Sequence, residues 1–510
     1  MVLMRKTLSR SCVACLLMFV LVFYLIIYHQ LPDLSSVQVH NRNHVGQPES
    51  LTRFEGPLTK NNLAERLSII IREFENFDNA LSETVGSIWQ SLGKVPVFVI
   101  ADDLPYPPVA LNMNSEARMI TLSSDLTRNY SSTCPMHFFQ TQYVLIIPDA
   151  TKILDWKQVQ NLVSFLHTQR HTKAVAVPVG NAELTCQDLS VDMKRWTLSF
   201  NGNHSQATYC PLVKGSHGLL MKTETFKSLA EPFARPFPFT FYVQASLKNW
   251  KVRITKSGRL DVLSQLYEEP HSHWKHKQAE TERLRMFYEK IGIKQETLAS
   301  GFSNFYGCSK DTSRCFGTVV NDMPEYLYQG RWTPPCCLKA LRETAQHVFS
   351  VLDLCQVRYW LEGGSLLGAA RHHDIIPWDY DVDIGIYKVD VEKCLALSRA
   401  TKERYIDERL FVWETAVEGD FYRVQFSETN HLHVDIFPFY SRNGTMTKDT
   451  WFGTHRQDTE FPERFLQPLT KIKFAGTMAS APNNVTEFLD YKFGKGVIDK
   501  PKYPNFQNPL

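Results

Sequence analysis

The chain carries almost no excess of charge of either sign. Its 510 residues include 56 Lys and Arg against 53 Asp and Glu, so the formal net charge is only +3. A nucleic-acid-binding protein needs a basic surface that neutralises phosphates, and this balanced composition gives no sign of one. The 43% hydrophobic content is ordinary for a globular protein. The length predicts two or three domains rather than one.

A signal-peptidase cleavage site is also lacking after the apolar run at residues 12–28. That run contains no charge, and Arg5, Lys6 and Arg10 precede it. A run of this length can span a thin bilayer as a helix, and its basic flank is expected to stay cytoplasmic. We therefore predict a single-pass anchor at 12–28, with 1–11 as a cytoplasmic tail and the rest of the chain luminal. A cleaved signal peptide is the alternative.

A polar stretch and then an alternating pattern follow the apolar run. Residues 29–64 show no sustained period and are predicted to form a flexible stalk. From Leu67 onward, strand-like apolar runs alternate with helical segments, which predicts a layered α/β domain over residues 65–300. The predicted strands are 67–71, 96–101, 119–122, 143–148 and 174–178.

An Asp-x-Asp motif is missing from this first domain. The strand progression is similar to that of GT-A glycosyltransferases, which hold a metal with such a motif after the strand at 143–148. Here Asp149 is followed by Ala150. We therefore predict a stem domain that positions or assembles the protein and does not transfer sugar. A charge-dense solvated helix at 274–290 is expected to link it to the second half.

Three aspartates at a spacing of two mark the second half. Asp379, Asp381 and Asp383 follow a Gly-Gly-Ser turn that contains Gly364 and Ser365, and a short helical segment at 365–371. Alternate side chains of a strand share a face, so these carboxylates are expected to crowd together. A hard divalent cation would offset their repulsion, and the turn is expected to hold phosphate.

A fourth carboxylate is expected at the same site. Asp435 lies in the alternating run 431–437 and is predicted to converge from a neighbouring strand, as a metal ligand or as the group that takes a hydroxyl proton. We assign Mg²⁺ to Asp381 and Asp383, with Asp379 as a third ligand or an orienting neighbour. Arg371 is expected either to bind phosphate or to be solvated on its helix. An acidic loop or a structural calcium site is the alternative.

The sequence of the second half resembles that of the LicD-type phosphotransferases. The resemblance is carried by LEGGSLLGAARHHDIIPWDYDVDIGIY at 361–387, WTPPCC at 332–337, VEGD at 417–420, NHLHVD at 430–435 and NGTMTKD at 443–449. It implies a nucleotidyltransferase-like α/β (α+β) catalytic domain at 301–510. In such a domain a hydroxyl attacks the distal phosphorus of a CDP-linked alcohol, and CMP leaves.

Within that family, the chain is closely similar to the fukutin-related branch. This resemblance implies CDP-ribitol as donor and the phosphorylated O-mannosyl glycan of dystroglycan as acceptor. It also implies a Golgi membrane location, with the ER or secretion as alternatives, and leaves open self-association or complexes with related Golgi transferases. A pyrophosphate-releasing nucleotidyltransferase and a non-catalytic scaffold are the competing classes of function.

Eleven cysteines in a luminal chain are expected to be largely oxidised. We predict a disulfide between Cys186 and Cys210 because they are close in sequence. A second group of four is predicted to hold structural zinc, with two disulfides as the alternative. Its members are Cys308, Cys315, Cys336 and Cys337. The family resemblance adds to the zinc interpretation, because loop 308–337 matches a zinc-binding loop beside the active site.

Acceptor triplets for N-linked glycans occur in both halves. Asn129 and Asn203 begin Asn-x-Ser/Thr triplets in the stem and are predicted to carry glycans if the chain is luminal. Asn443 and Asn484 begin further triplets in the second half.

Overall fold

The computed structural model describes residues 56–501, apart from 110, 112–116, 124–126, 128–133, 169–170, 205–208, 256–257, 321–322 and 454. The predicted tail, anchor and most of the stalk lie outside the described residues, as do Asn129 and the side chain of Asn203. Within the described part, no helix is long and apolar enough to cross a membrane.

The first half is built on the strands that the apolar runs predicted. In chain order the strands are β1 Leu67–Ile71, β2 Val97–Ala101, β3 Ala117–Thr121, β4 Tyr143–Ile147, β5 Thr151–Lys152, β6 Thr172–Pro178, β7 Thr185–Asp192, β8 Thr197–His204, β9 Leu212–Lys214, β10 His217–Lys222, β11 Lys251–Ile254, β12 Asp261–Val262, β13 Gln295–Thr297 and β14 Ser303–Phe305. The helices are α1 Leu63–Arg66, α2 Leu81–Leu92, α3 Trp156–His167, α4 Thr223–Lys227, α5 Phe239–Leu247 and α6 Pro270–Ile291. All five predicted strands are confirmed, with ends that differ by at most two residues.

A mixed sheet forms the centre of this stem. Its described strands are ordered β11-β6-β10-β4-β1-β2-β3, and β1 is parallel to both of its neighbours. Every residue of β1 is buried, because both faces of the sheet are covered. Ile69 and Ile71 pack in the cluster that contains α2 and α3. Ile70 packs instead against a second described sheet, β14-β13-β8-β7-β9.

The predicted charged helix between the halves is present as α6. Among its 22 residues, Phe287 and Tyr288 are the buried ones, which explains the high charge of the rest. Arg283 donates two hydrogen bonds to Glu75, just beyond β1, at 2.5 and 2.6 Å. Burial alone would raise the pKa of Glu75, but hydrogen bonds from His276 and Arg283 lower it to about 2. Ion pairs therefore fasten α6 to the end of the central strand.

The second half is a mixed sheet packed on a long helix. Its helices are α7 Glu325–Tyr328, α8 Pro335–Leu354, α9 Gly363–His372, α10 Leu395–Ala400 and α11 Val485–Phe493. Its strands are β15 Tyr359–Leu361, β16 Val382–Tyr387, β17 Tyr405–Ile406, β18 Val412–Thr415, β19 Tyr422–Gln425, β20 His433–Arg442, β21 Thr445–Lys448, β22 Phe461–Pro462, β23 Thr470–Phe474 and β24 Thr477–Ala481. The main path of the sheet is β15-β16-β20-β19-β18-β17 among the described strands.

Helix α8 carries the apolar stripe that its sequence predicted. Leu341, Ala345, Val348 and Leu352 recur near the helical period and are all fully buried. They share one core cluster with Val382, Ile384 and Ile386 of β16 and with Val434 and Ile436 of β20. The helix thus supports the two strands that carry acidic side chains on their other positions.

A tryptophan joins the two halves. Trp196, at the turn between β7 and β8, donates from Nε1 to the carbonyl oxygen of Trp332 at 2.7 Å. The guanidinium of Arg331 lies 4.3 Å from the centre of the Trp196 ring. The stem therefore contacts the segment that leads into α8.

Candidate active site

Three adjacent strands place two carboxylates and a guanidinium side by side. Asp383 on β16 is in register with Asp435 on β20, and Asp435 is in register with Arg423 on β19. Neighbouring strands are about 4.8 Å apart, so these side chains form a row on one face. Nε and Nη2 of Arg423 donate to the two carboxylate oxygens of Asp435 at 2.8 and 2.9 Å. The predicted approach of Asp435 from a neighbouring strand is therefore present.

The predicted strand position of the first two aspartates is wrong. Strand β16 begins at Val382, so Asp379 and Asp381 lie in the preceding turn and only Asp383 belongs to the strand. The backbone N–H of Asp379 donates to the carbonyl oxygen of Ile376, and its side chain accepts from the N–H of Tyr380. The turn bends the chain so that all three carboxylates still reach the same cavity.

This cavity has a volume of about 620 Å³, and its lining combines charged side chains with apolar ones such as Phe437 and Phe452. Its acidic lining consists of Glu362, Asp379, Asp381, Asp383, Glu418, Asp435 and Asp458. Its basic and imidazole lining consists of Arg314, Arg423, His433, Lys448 and His455. The volume is within the range of small-molecule sites and is large enough for a nucleotide-sized ligand.

The turn that holds glycines packs directly against the carboxylates. A Cβ at Gly364 would lie 2.8 Å from Oδ2 of Asp379, so a larger side chain would push that carboxylate aside. Gly363 has a φ of +54°, a left-handed conformation that favours glycine. Helix α9 begins here, two residues earlier than predicted. Its N-terminus therefore faces the aspartates.

Not every residue predicted to bind substrate lines the cavity. Ser365 is buried, and its Oγ accepts from the backbone N–H of Asp383 at 2.9 Å, so its hydroxyl fixes the strand. The Nε of Arg371 donates to the carbonyl oxygen of Ile498 at 3.0 Å, and Arg371 is not among the lining residues. Gly364 does line the cavity. The geometry gives Ser365 and Arg371 a supporting position and does not bring either to a ligand.

The carboxyl groups of Asp379, Asp381 and Asp383 lie close together, and nearby positive charge does not offset their burial and mutual repulsion. Burial first, and then the negative charge of Asp381, raises the pKa of Asp379 well above its usual range. Burial and the charges of Asp381, Asp435 and Asp379 do the same for Asp383. The pKa of Asp381 is also raised, mainly by burial. Carboxylates in this state fit a site that is completed by a cation.

The oxygen donors fit a hard divalent ion such as Mg²⁺. Among the metal-ligating atoms of the described His, Cys, Asp and Glu side chains, three come within 4.8 Å of one another only at a cysteine cluster. No three of the described carboxylates meet that distance. In proteins, Mg²⁺ is usually bound by one or two carboxylates together with water and phosphate oxygens.

Sequence reasoning missed the cationic residues of the cavity. Burial would lower the pKa of Arg423, but the hydrogen bonds and charge of Asp435 outweigh burial and raise it. Lys448 is buried, 2.8 Å from Asp458 and 4.1 Å from the centre of the Phe437 ring. The alternation of β19 could have placed Arg423 on a polar face, but no local pattern distinguishes Lys448.

The cysteine loop forms part of the cavity wall. Three residues of this loop line the cavity: Arg314, which immediately precedes Cys315, and Thr318 and Val319, which follow it. The four cysteines are paired as Cys308–Cys336 and Cys315–Cys337, which is the alternative to the predicted zinc site.

Three of the four cysteine sulfurs, those of Cys308, Cys336 and Cys337, lie within 4.8 Å of one another. Sγ of Cys308 is 3.3 Å from Sγ of Cys337, a partner from the other pair. Tetrahedral zinc with Zn–S bonds of about 2.3 Å spaces its sulfurs by about 3.8 Å, so these three sulfurs are close enough to share one ion, whereas Cys315 is outside this group.

Two more disulfides are present in the described part of the chain, one of which the sequence predicted. Cys186 is bonded to Cys210, as predicted. Cys355, at the end of α8, is bonded to Cys394, a pair that sequence reasoning left unassigned. Among the described residues, Cys134 is in no disulfide.

The stem has a smaller cavity where β1 and β4 end, at the usual ligand position of an α/β sheet. Its volume is about 270 Å³, and Glu73 and Asp149 line it. Asp149 is buried and accepts from Ala80 N, Thr84 Oγ1 and Ala150 N, while Arg235 donates to both oxygens of Glu73. Both carboxylates are therefore engaged by groups within the protein.

Comparison with known proteins covers both halves. Residues 54–299 match the family model described as the fukutin-related protein stem domain. A relative from Mus musculus named Ribitol 5-phosphate transferase FKRP is 46% identical over 465 residues, which are 90% of this chain and 92% of the relative. The chain belongs to the fukutin-related protein family.

A second family model and further relatives match the chain as well. Residues 356–484 match the model described as LicD/FKTN/FKRP, nucleotidyltransferase domain. The Homo sapiens protein named Ribitol 5-phosphate transferase FKRP is 45% identical over the same shares of both chains. The Homo sapiens protein named Ribitol-5-phosphate transferase FKTN is 24% identical over 38% of this chain and 39% of its own. The predicted resemblance to the LicD-type and fukutin-related proteins is confirmed.

Proposed function

We propose that this protein transfers ribitol 5-phosphate from CDP-ribitol to the phosphorylated O-mannosyl glycan of dystroglycan and releases CMP. The observation that carries the proposal is the cavity in which Asp379, Asp381 and Asp383 meet Asp435 beside the turn at Gly364. Relatives that cover nine-tenths of the chain are named ribitol 5-phosphate transferases. The donor and acceptor come from the family, and the carboxylates and the cavity supply the means of phosphoryl transfer.

The reaction breaks one phosphorus–oxygen bond and forms another. A hydroxyl of the acceptor attacks the ribitol-bearing phosphorus of the donor, and CMP departs with the bridging oxygen. Asp381 and Asp383 would hold Mg²⁺, with Asp379 as an orienting neighbour. When bound, the ion neutralises the diphosphate and the charge that develops on it. Lys448 and Arg423 add fixed positive charge along the same wall.

The acceptor proton can go to one of two side chains. Both oxygens of Asp435 accept hydrogen bonds from Arg423, so both oxygens of that carboxylate are engaged within the protein. His433 donates from Nδ1 to the carbonyl oxygen of His431 at 2.9 Å, which leaves the Nε2 lone pair as an acceptor. We therefore assign proton removal to His433. Near-normal turnover in a His433→Gln variant would return that role to Asp435.

A donor panel tests the proposed reaction directly. The purified full-length chain is incubated with Mg²⁺, a phosphorylated O-mannosyl acceptor and CDP-ribitol, CDP-choline or CDP-glycerol. We expect acceptor-dependent CMP release with CDP-ribitol. Release of pyrophosphate from CTP instead would indicate a nucleotidyltransferase. A folded chain that releases neither product from any donor would favour the non-catalytic scaffold.

We also propose structural zinc at the four clustered cysteines. The close approach of the Cys308, Cys336 and Cys337 sulfurs, which come from both pairs, supports it, and the position of the loop on the cavity wall gives the metal a supporting role. We expect about one zinc per chain in protein purified without chelator. We also expect Cys336→Ser to lower both zinc content and the melting temperature. A zinc-free active chain with no reactive thiol in this cluster would contradict the proposal and establish the two disulfides.

The location and the modifications of the chain are proposed on the sequence alone. We propose a single-pass Golgi membrane protein with a luminal catalytic half, glycosylated at Asn129 and Asn203. Assembly into homo-oligomers or with related Golgi transferases belongs to the same proposal. Protease treatment of sealed vesicles should leave nearly the whole chain protected, and digestion of the 379–383 region there would contradict this topology.

A further inference from the structure

A buried lysine near the end of the described chain reaches the active-site turn. Lys492 lies on α11, and only 1% of its side chain is exposed. Its Nζ lies 2.8 Å from Oε1 of Glu362 and donates to the carbonyl oxygen of Thr459 at 2.9 Å. The other oxygen of Glu362 accepts from Nε1 of Trp360 at 2.8 Å. The charged pair is therefore hydrogen-bonded on both sides.

The two partners of this amine belong to different parts of the cavity wall. Glu362 lines the cavity and precedes the glycine turn, and its backbone N–H donates to the carbonyl oxygen of Asp383 at 3.0 Å. Thr459 follows Gln457 and Asp458, which line the cavity as well. Asp458 in turn holds the amine of Lys448. One ammonium group thus ties the turn beside the carboxylates to the 457–459 segment, whose Asp458 pairs with Lys448.

Stability alone does not account for such a pair. Moving two charges out of water costs about as much as their attraction returns, so apolar side chains of similar size would hold the fold equally well. What the pair adds is a fixed geometry, because an ammonium between two oxygen acceptors has one position. Lys492 also lies outside the part of the chain, 356–484, that matches the nucleotidyltransferase domain model.

We propose that Lys492 is a positioning residue for the phosphotransfer site, an inference that rests on the proposed function. It holds Glu362, and with it the 362–364 turn, against the aspartates, and it holds the 457–459 segment through the Thr459 carbonyl. Loss of the amine frees both walls and leaves the Glu362 carboxylate unpaired beside an already acidic cluster. The C-terminal helix is thereby part of the catalytic machinery and acts through other residues.

The test compares Lys492→Met with the double variant Glu362→Gln/Lys492→Met in the full-length protein. The single variant leaves a buried carboxylate unpaired, so we expect a lower melting temperature and a kcat reduced roughly tenfold or more. In the double variant no unpaired charge remains, so the melting temperature should recover. Its kcat and its Mg²⁺ affinity should stay low, because the bridge to Thr459 is still missing. Lys492→Arg should retain part of the activity.

Lys471→Met is the matched control. Lys471 is half-exposed and pairs with Asp353 at 3.6 Å, away from the cavity lining, so its loss should leave kcat unchanged. If kcat and Mg²⁺ affinity recover together with the melting temperature in the double variant, Lys492 serves the fold only and the proposal is wrong. If the wild-type chain releases no CMP from CDP-ribitol, the proposed function fails. Mg²⁺ titration of the same variants, followed by calorimetry, still decides the role of Lys492.

Discussion

Asp381→Asn and Asp383→Asn should each reduce CMP release from CDP-ribitol by roughly a thousandfold or more while the protein remains folded. The change keeps the volume of the side chain and removes its charge, so it separates electrostatics from packing. A lost metal ligand weakens charge neutralisation in the transition state. The fold should survive, because burial and mutual repulsion already disfavour the charged forms of these groups without a cation.

Two quantities, turnover and melting temperature, are measured for each variant. Turnover is measured for each purified full-length variant, and melting temperatures are compared with and without Mg²⁺. Both variants should lose much of the Mg²⁺-induced rise in melting temperature that the wild type shows. Asp379→Asn should cost less if that residue only orients its neighbours. Asp311→Asn, at an exposed position in the same half, is the control. Near-normal turnover in folded Asp381→Asn or Asp383→Asn would place the metal site elsewhere.

Arg423→Gln should damage both stability and catalysis. Only 16% of the Arg423 side chain and 9% of the Asp435 side chain are exposed, so the change leaves a buried carboxylate without its partner. Breaking a buried pair from one side typically costs about 3–5 kcal/mol. Turnover should fall by at least roughly a hundredfold, because the released Asp435 adds uncompensated charge beside Asp383. Thermal unfolding and CMP release measure the two effects.

A second variant separates the two effects of Arg423. In Arg423→Gln/Asp435→Asn both charges are gone, so stability should return while turnover stays low. Arg404→Gln, immediately before β17, is the control, because its partially exposed pairs with Glu414 and Glu428 should contribute less than about 1 kcal/mol. If Arg423→Gln melts like the wild type, the pair does not contribute to the fold as the geometry indicates.

The first stem strand and the acidic motif show which structural features a local sequence pattern can predict. The run at 67–71, apolar at every position except Ser68, predicted a buried strand correctly, because apolar side chains on both faces of a strand require a sheet that is covered on both sides. The spacing of the aspartates predicted that their side chains lie together, and they do line one cavity, but the predicted local structure is wrong, since Asp379 and Asp381 lie in a turn. Alternation along a strand and a bend in a turn can bring the same carboxylates together.

Long-range partners could not be predicted in the same way. Arg423 meets Asp435 because β19 and β20 pair in one register, and a shift of one residue would turn the guanidinium to the other face. Cys355 and Cys394 are 39 residues apart, and only the folded chain brings them together. Phosphate binding by Arg371 was a reasonable expectation for a cation after a glycine turn, yet its guanidinium donates to the chain near Ile498.

The sequence by itself determined the strands of the stem, the charged linking helix, the identity of the acidic residues and the family. Each of these depends on residues that are close in sequence or on long motifs that match those of the family. The tertiary structure alone decided that the basic side chains of Arg423 and Lys448 lie beside the carboxylates. It also decided how the glycine turn packs against them, and that Lys492 of α11 reaches Glu362. The physical reason is that strand register and helix docking minimise the free energy of the whole core. No short window of the chain contains that information.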